Sequence, residues 1–445
     1  MSDVAPDGPA RAGRVPAPLR RPAVVLLVLA CLATALGLHA THTDALVTLL
    51  PSPDMRELHV DFDTFRASAV ALLNGGDIYD TPAKLRNLNP PLLTVLLAPS
   101  ALLDALTAYR VFAVLTLLMV VGAALAVTRE LRLSRSASAA VVATVLVSSP
   151  LHGTLVLGQI YGVLLLGLVA GWIAERRGRP LLAAAFYGVT VALKPSLAPL
   201  LLLPLATRRW RPLAAGLGAA AAASLFGVAV AGSRSGLEWL RIGLTEPVPD
   251  TVDNASLPGL AVRFGIPSAV GTVLGLAMLV GTLVVLGRRR DQVDPAGTAP
   301  WAVLAAGLLL SPIAWHNYLM LLWPGVLMLL GRDGHAPHRP GRATVLLAVT
   351  VIPVSWNVIW PPEAWWSDVG RSLYCGLLIA YWWVLLSSSS SSSADRVADG
   401  TDVSSASAEP PTVAVRSPTS EANRGSSTTA SGAPGVGVST GGSSS

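Results

Sequence analysis

Hydrophobic positions in this chain do not alternate with polar ones; they run in blocks, near residues 23–40, 91–103, 109–127, 137–150, 159–174, 180–194, 196–206, 212–231, 267–287, 299–312, 316–331, 343–360 and 369–386. Most blocks run roughly 15 to 22 residues, the length a bilayer-spanning helix needs. Continuous apolarity of that length predicts helices that are apolar all round, which a lipid phase accepts and water does not. If every block crosses, the loop with Arg129, Arg132 and Arg135 falls outside, against the rule that positive loops stay in the cytoplasm. The conflict disappears if block 91–103 is a juxtamembrane or re-entrant helix on the outer side. That block opens with Asn89-Pro90-Pro91, contains Pro99 and is followed by Asp104. The arginine clusters at 176–179, 208–211, 288–290 and 332–342 then all join Arg129 to Arg135 inside. The expectation is an all-α polytopic membrane protein with about twelve crossings, an extra outer helix and both termini cytoplasmic.

Two outer segments are long, 41–108 and 232–266, and long loops between tightly connected spans are where function concentrates. In the first, Phe62, Phe65, Ala69, Leu72 and Leu73 follow a helical period that Asn74-Gly75-Gly76 closes. This predicts a short amphipathic helix on the outer leaflet.

Composition agrees with the block pattern. Of 445 residues 52% are hydrophobic and only 13% charged, far below the one quarter or so of soluble domains. The net charge of +6 does not indicate nucleic acid, because the arginines mark loop ends rather than a stripe. Cys31 and Cys375 both sit in apolar blocks, so neither a disulfide framework nor a metal site is expected, and no cofactor. Residues 1–22 read as a basic cytoplasmic tail and 23–386 as the multi-span domain, block 23–40 being a retained signal anchor rather than a cleaved signal peptide. Residues 387–445 are rich in Ser, Thr and Gly and are expected to be disordered.

Candidate chemistry gathers on the outer side. Transfer to a hydroxyl needs a group that takes the proton as the bond forms. Asp61 or Asp63, at the start of the surface helix, suits that role; equally, Asp61 suits an N-cap and Asp63 a first-turn carboxylate. Lys194, before Pro195 and between two apolar blocks, is either a phosphate contact or a lysine snorkelling to the interface. Asn254, Ser256 and Arg263 offer amide, hydroxyl and guanidinium groups suited to a sugar and a phosphate. Trp315 and His316 open another block, and His316 can exchange protons near neutral pH. His152 and Gly158-Gln159 are placed in a small outer loop.

Taken in order, Asp61-Phe-Asp-Thr-Phe65 with Gly76 and Tyr79, Asn89-Pro-Pro-Leu92, Gly158-Gln159, Ala192-Leu-Lys194-Pro195, Asn254-Ala-Ser256 with Arg263, and Ser311-Pro-Ile-Ala-Trp315-His316 resemble glycosyltransferase family 87. The resemblance covers about residues 58–320. It implies a C-type glycosyltransferase (GT-C) fold in the plasma membrane with its active site at the extracytoplasmic face. It also implies a polyprenyl-phosphate sugar donor, carrying mannose or arabinofuranose, and a glycolipid or glycan acceptor. On this reading Asp61 or His316 is the base; Asp63, Gln159, Lys194, Asn254, Ser256, Arg263 and Trp315 bind substrate. The family often has tyrosine where this chain has Phe65 and Asn89. A transporter or lipid flippase is the competing expectation, although such proteins place paired repeats and polar groups at mid-membrane.

Overall fold

The computed structural model describes residues 59–251, 254–331, 334–351 and 372–389. The expected signal anchor, the basic N-terminal tail and most of the Ser-rich tail lie outside the described residues. Within them the chain is helical, with one isolated β-bridge between Asn254 and Trp315. In chain order the helices are α1 (Val60–Leu73), α2 (Pro91–Leu97), α3 (Ala105–Glu130), α4 (Arg135–Leu146), α5 (Ser149–Leu157), α6 (Tyr161–Arg176), α7 (Pro180–Leu193) and α8 (Leu202–Ala206). They continue with α9 (Trp210–Ala231), α10 (Ser233–Thr245), α11 (Leu257–Arg263), α12 (Ser268–Arg288), α13 (Ala299–Leu310), α14 (Trp323–Leu327), α15 (Pro340–Thr350) and α16 (Leu373–Ser387). Short 3-10 segments follow α2 (Ala98–Leu102), precede α8 (Pro195–Leu201) and flank α14 (His316–Leu322, Met328–Leu330).

Among these, α3, α9 and α12 are long and apolar enough to cross a bilayer alone. The pair α4 and α5 makes a fourth candidate, bent by 47° at its break. The bend has a local cause. Ser148 caps α5 by accepting from the Leu151 amide, and Pro150 in the first turn cannot donate back to α4. The remaining apolar helices run 10–17 residues. Block 91–103 appears as α2 and its 3-10 extension, one of several short apolar elements. Its Leu92 backbone lies on α9 at Gly227, where a Cβ would come within 2.5 Å of the Leu92 amide nitrogen.

The centre of the bundle is α13 with the segment from His316 to Leu330. Almost every side chain of both is buried, so the short helical pieces there are core rather than surface. Around them, antiparallel neighbours α6 and α7 give the bundle two chemically different ends. At one end Glu130 meets Arg176 and Arg177, and Arg209 meets Glu175 at 2.5 Å. At that end too, Asp294 lies 2.6 Å from the His335 ring, and the Trp172 indole donates to the Ala296 carbonyl. The other end holds Tyr161, where α6 begins, and Lys194, where α7 stops. The arginine clusters and the candidate chemistry therefore occupy opposite ends of the same helices.

Candidate functional site

Helix α1 carries the first site residue and is held at both ends. Its core face is Phe62, Phe65 and Ala69, at the predicted spacing, and Asn74-Gly75-Gly76 ends it with backbone hydrogen bonds back to Val70, Leu72 and Ala71. The N-cap position belongs to His59, so the expectation that Asp61 caps the helix is corrected. The buried His59 ring stacks on Tyr109 at 3.7 Å. Its Nδ1 lies 2.8 Å from the Val156 carbonyl; a carbonyl only accepts, so Nδ1 carries the proton. Burial also lowers the pKa of this ring, which favours its neutral form.

This docking sets α1 against the end of α5, where Gly158 is decisive. Its φ of +76° lies in the left-handed region, and a Cβ there would stand 2.4 Å from the Phe62 Cβ. Only glycine satisfies both conditions without strain. The tight turn presents the next residue, Gln159, whose Nε2 donates to Asp61 Oδ2 at 2.7 Å. Asp61 is half-buried in the first turn of α1, a helix that is not among the candidate spans. Burial raises its carboxyl pKa to about 6, against the lowering pull of the Gln159 hydrogen bond and of the Lys194 charge. Asp63 is two residues on, about 200° around the helix from Asp61.

Lys194 extends from the C-terminal end of α7, where Pro195 stops the helix. Its Nζ donates to Asn89 Oδ1 at 2.8 Å. Asn89 is itself pinned: the Tyr79 hydroxyl donates to its carbonyl, and its own amide donates to Asn87 Oδ1. Asn87 continues the chain to Ser68 on α1. The sequence carries a single signal for Asn89, a polar residue before Pro90-Pro91.

The residues flanking this contact open onto an apolar groove. Pro90, Pro91 and Pro195 form one wall; Val228 of α9 with Leu237 and Leu240 of α10 form much of the other, enclosing about 380 Å³. Helix α10 leaves Leu237, Leu240 and Leu244 exposed while Ile242 is buried, and Arg86 ties it down through Glu238 at 2.7 Å.

A third segment, His316–Leu322, completes the site. His316 is buried and stacks on Tyr374, with centroids 5.0 Å apart. Tyr318 packs edge-on against Tyr161 and shares a hydrogen bond with Ser196 at 2.9 Å. Residues two after Gln159, Lys194 and His316 thus join the three segments into one wall. His152, placed in a loop by the sequence, lies inside α5 instead.

Asn254, Ser256, Arg263 and Trp315 form a separate group that shapes the loop before His316. The Asn254 amide donates to the Pro249 and Pro312 carbonyls, and its Oδ1 accepts from the Ala314 amide. Ser256 caps α11, and Arg263 donates to the Thr251 and Asn254 carbonyls. Trp315 forms the β-bridge with Asn254. Both ends of the Asn254 amide are therefore engaged with backbone, which holds the 312–316 turn. Among the described residues no group of three or more His, Cys, Asp or Glu is placed to hold a metal ion.

The sequence profile of glycosyltransferase family 87 matches residues 87–312, just over half of the chain and spanning Asn89, Gln159, Lys194 and Asn254. This protein belongs to glycosyltransferase family 87. It is a membrane glycosyltransferase. It is 29% identical over 353 residues to an alpha-(1->3)-arabinofuranosyltransferase of Mycolicibacterium smegmatis, covering 72% of this chain and 73% of that one. It is 26% identical over 306 residues to the polyprenol-phosphate-mannose-dependent alpha-(1-2)-phosphatidylinositol mannoside mannosyltransferase of the same organism, covering 60% and 68%. Among solved structures, ArnT from Cupriavidus metallidurans bound to undecaprenyl phosphate covers 82% of this chain at 16% identity, with a TM-score of 0.36.

Proposed function

We propose that this family 87 enzyme transfers a sugar, mannose first and arabinofuranose as the alternative, from a polyprenyl-phosphate donor to a hydroxyl of a cell-envelope glycolipid or glycan. One observation carries the reading. Lys194 and Asn89 meet at 2.8 Å, and the next residue on each strand of chain, Pro195 and Pro90, lines the apolar groove. A cation one residue away from an apolar channel matches a ligand with a phosphate head and a hydrocarbon tail. The donors named in the mannosyltransferase relative have that chemistry.

The chemistry then follows from charge. The acceptor oxygen forms a bond to the anomeric carbon, inverting it, while the bond from that carbon to the phosphate oxygen breaks. The electron pair leaves with the phosphate, and the Lys194 ammonium stabilises the charge that develops there, the cationic role that needs no metal ion. The acceptor proton passes to Asp61. A carboxylate with a pKa of about 6 is a stronger base than an ordinary one and is still mostly ionised at neutral pH. The site lies at the end opposite the arginine clusters, which supports an extracytoplasmic face. The exposed Leu237, Leu240 and Leu244 stripe of α10 suits the outer leaflet.

The test is transfer by membranes containing the full chain, supplied with radiolabelled polyprenyl phosphate mannose or polyprenyl phosphate arabinofuranose. New labelled glycolipid, absent with Asp61→Asn, is the expected result. Label retained on the donor with both sugars, in membranes that hold the protein at normal levels, would sink the reading.

A further inference from the structure

Next to His316 stands Asn317, and the mechanism above gives it no task. Its side chain is completely buried, yet neither Oδ1 nor Nδ2 has a hydrogen-bond partner among the described residues. The position is tightly defined. Both Asn317 and His316 press on Gly153 of α5, where a Cβ would lie 2.5 Å from Asn317 Oδ1 and 2.7 Å from His316 Nε2. The bare backbone of Gly153 is what admits the two side chains side by side. His152 adds a further buried nitrogen without a partner, its Nε2, and lies close enough to His316 for their charges to interact.

A buried amide left unpartnered costs about 1–3 kcal/mol per group, whereas an apolar side chain of the same shape costs little or nothing there. The following residues, Leu319, Met320, Leu321 and Leu322, show that the segment otherwise fills its core positions with apolar groups. An amide offers a donor and an acceptor side by side, the pair that a sugar hydroxyl complements. We propose that Asn317 reads a hydroxyl of the transferred sugar or of the acceptor glycan, on the His316 side of the site. The inference rests on the glycosyl-transfer reading given above.

The experiment uses the full chain in lipid nanodiscs, wild type against Asn317→Leu, which keeps the volume and removes both hydrogen-bonding groups. Donors are radiolabelled polyprenyl phosphate mannose and arabinofuranose, and the acceptor is a dilution series of actinobacterial membrane glycolipid. Without substrates, Asn317→Leu should melt at or above the wild-type temperature, because an unpartnered amide has been replaced. Its kcat/KM should fall about 10- to 100-fold, the loss of one or two hydrogen bonds. A raised KM for the donor assigns the hydroxyl to the transferred sugar; a raised KM for the acceptor assigns it to the glycan. A loss in kcat alone supports a bond made in the transition state.

Two results overturn the inference while leaving the function intact: unchanged kcat/KM, or a lower melting temperature without substrates, which would show that the amide is satisfied within the protein. If Asn317→Leu does not reach the membrane, Asn317→Ala decides in the same way, with loss of transfer at normal protein level supporting the inference and full activity refuting it. Wild-type protein that is silent with both donors removes the functional reading and this inference together.

Discussion

The Gln159 to Asp61 hydrogen bond allows a quantitative test of which group is the base. With the Asp61 carboxyl at about 6 and its ionised form taking the proton, wild-type kcat/KM should rise with pH through about 6 and level off above 7. Gln159→Met keeps the side-chain length and removes the donor. That donor favours the ionised carboxylate, so its loss moves the acid limb upward. Hydrogen bonds to charged groups contribute about 1.5–3 kcal/mol, and a pKa unit corresponds to about 1.4 kcal/mol, so the shift is about one to two units. Asp61 is only half-buried and water replaces part of the lost bond, which favours about one unit. A limb moved from about 6 to about 7 lowers the ionised fraction roughly eightfold at pH 5.5, twofold at pH 7 and hardly at all at pH 8.5. Asp61→Asn, by contrast, should lose about 100-fold or more on the plateau above pH 7, the usual scale of general-base help, and should lose the acid limb altogether. Initial rates of label transfer between pH 5 and 9 give all three curves. An acid limb that stays in place in Gln159→Met, or a loss equal at every pH, would refute Asp61 as the titrating base.

Three further outcomes are expected. Lys194→Met should raise the KM for the lipid donor and lower turnover at an unchanged membrane level; full activity would make Lys194 a snorkelling residue. Gly158→Ala should lower the melting temperature and transfer together, because a φ of +76° and a Cβ 2.4 Å from Phe62 strain the turn by about 1–3 kcal/mol. An unchanged melting curve would contradict that packing. Reporter fusions after Arg135, Arg179, Arg211 and Arg290 should read cytoplasmic and fusions at Gly76 and Asp250 external; a cytoplasmic Gly76 would reverse the placement of the site.

Helix positions were largely legible because burial in lipid or core leaves a local record. Block 212–231 became Trp210–Ala231 and block 267–287 became Ser268–Arg288. Helix α1 was legible to its cap, since Phe62, Phe65 and Ala69 report one face and Asn74-Gly75-Gly76 reports the stop. The continuous apolarity of block 137–150 hides a break, although Ser148-Ser149-Pro150 carries both an N-cap and a first-turn proline. Partners were much less legible. Asp61, Gln159 and Lys194 were each singled out, but their meeting depends on Gly158 letting Phe62 approach, a contact between residues 96 positions apart in sequence. An amide has the same sequence signature whether it faces a ligand or a carbonyl, and the backbone bonds of Asn254 are not legible in it. Helix α10 leaves no apolar block in the sequence because Leu237, Leu240 and Leu244 are interleaved with Arg241, Gly236 and Gly243.

The relation between Asp61 and Lys194 bears on the choice between Asp61 and His316. Their opposite charges interact, yet they do not close an ion pair: Lys194 Nζ contacts Asn89, and Asp61 accepts from Gln159. Each group has a neutral amide partner that holds it in place, and Asn89 and Gln159 are in turn fixed by Tyr79, Asn87 and the Gly158 turn. An inverting displacement needs the base and the leaving-group cation on opposite sides of the anomeric carbon, separated by a sugar ring. Two charges that attract across the site while being restrained from collapsing together suit that demand. His316 lies instead with Asn317 against Gly153, beside His152, where buried polar atoms without partners favour hydroxyl recognition. In the mechanism proposed above, this arrangement gives Asp61 the proton and Lys194 the departing phosphate, and leaves the His316 side to discriminate among hydroxyls.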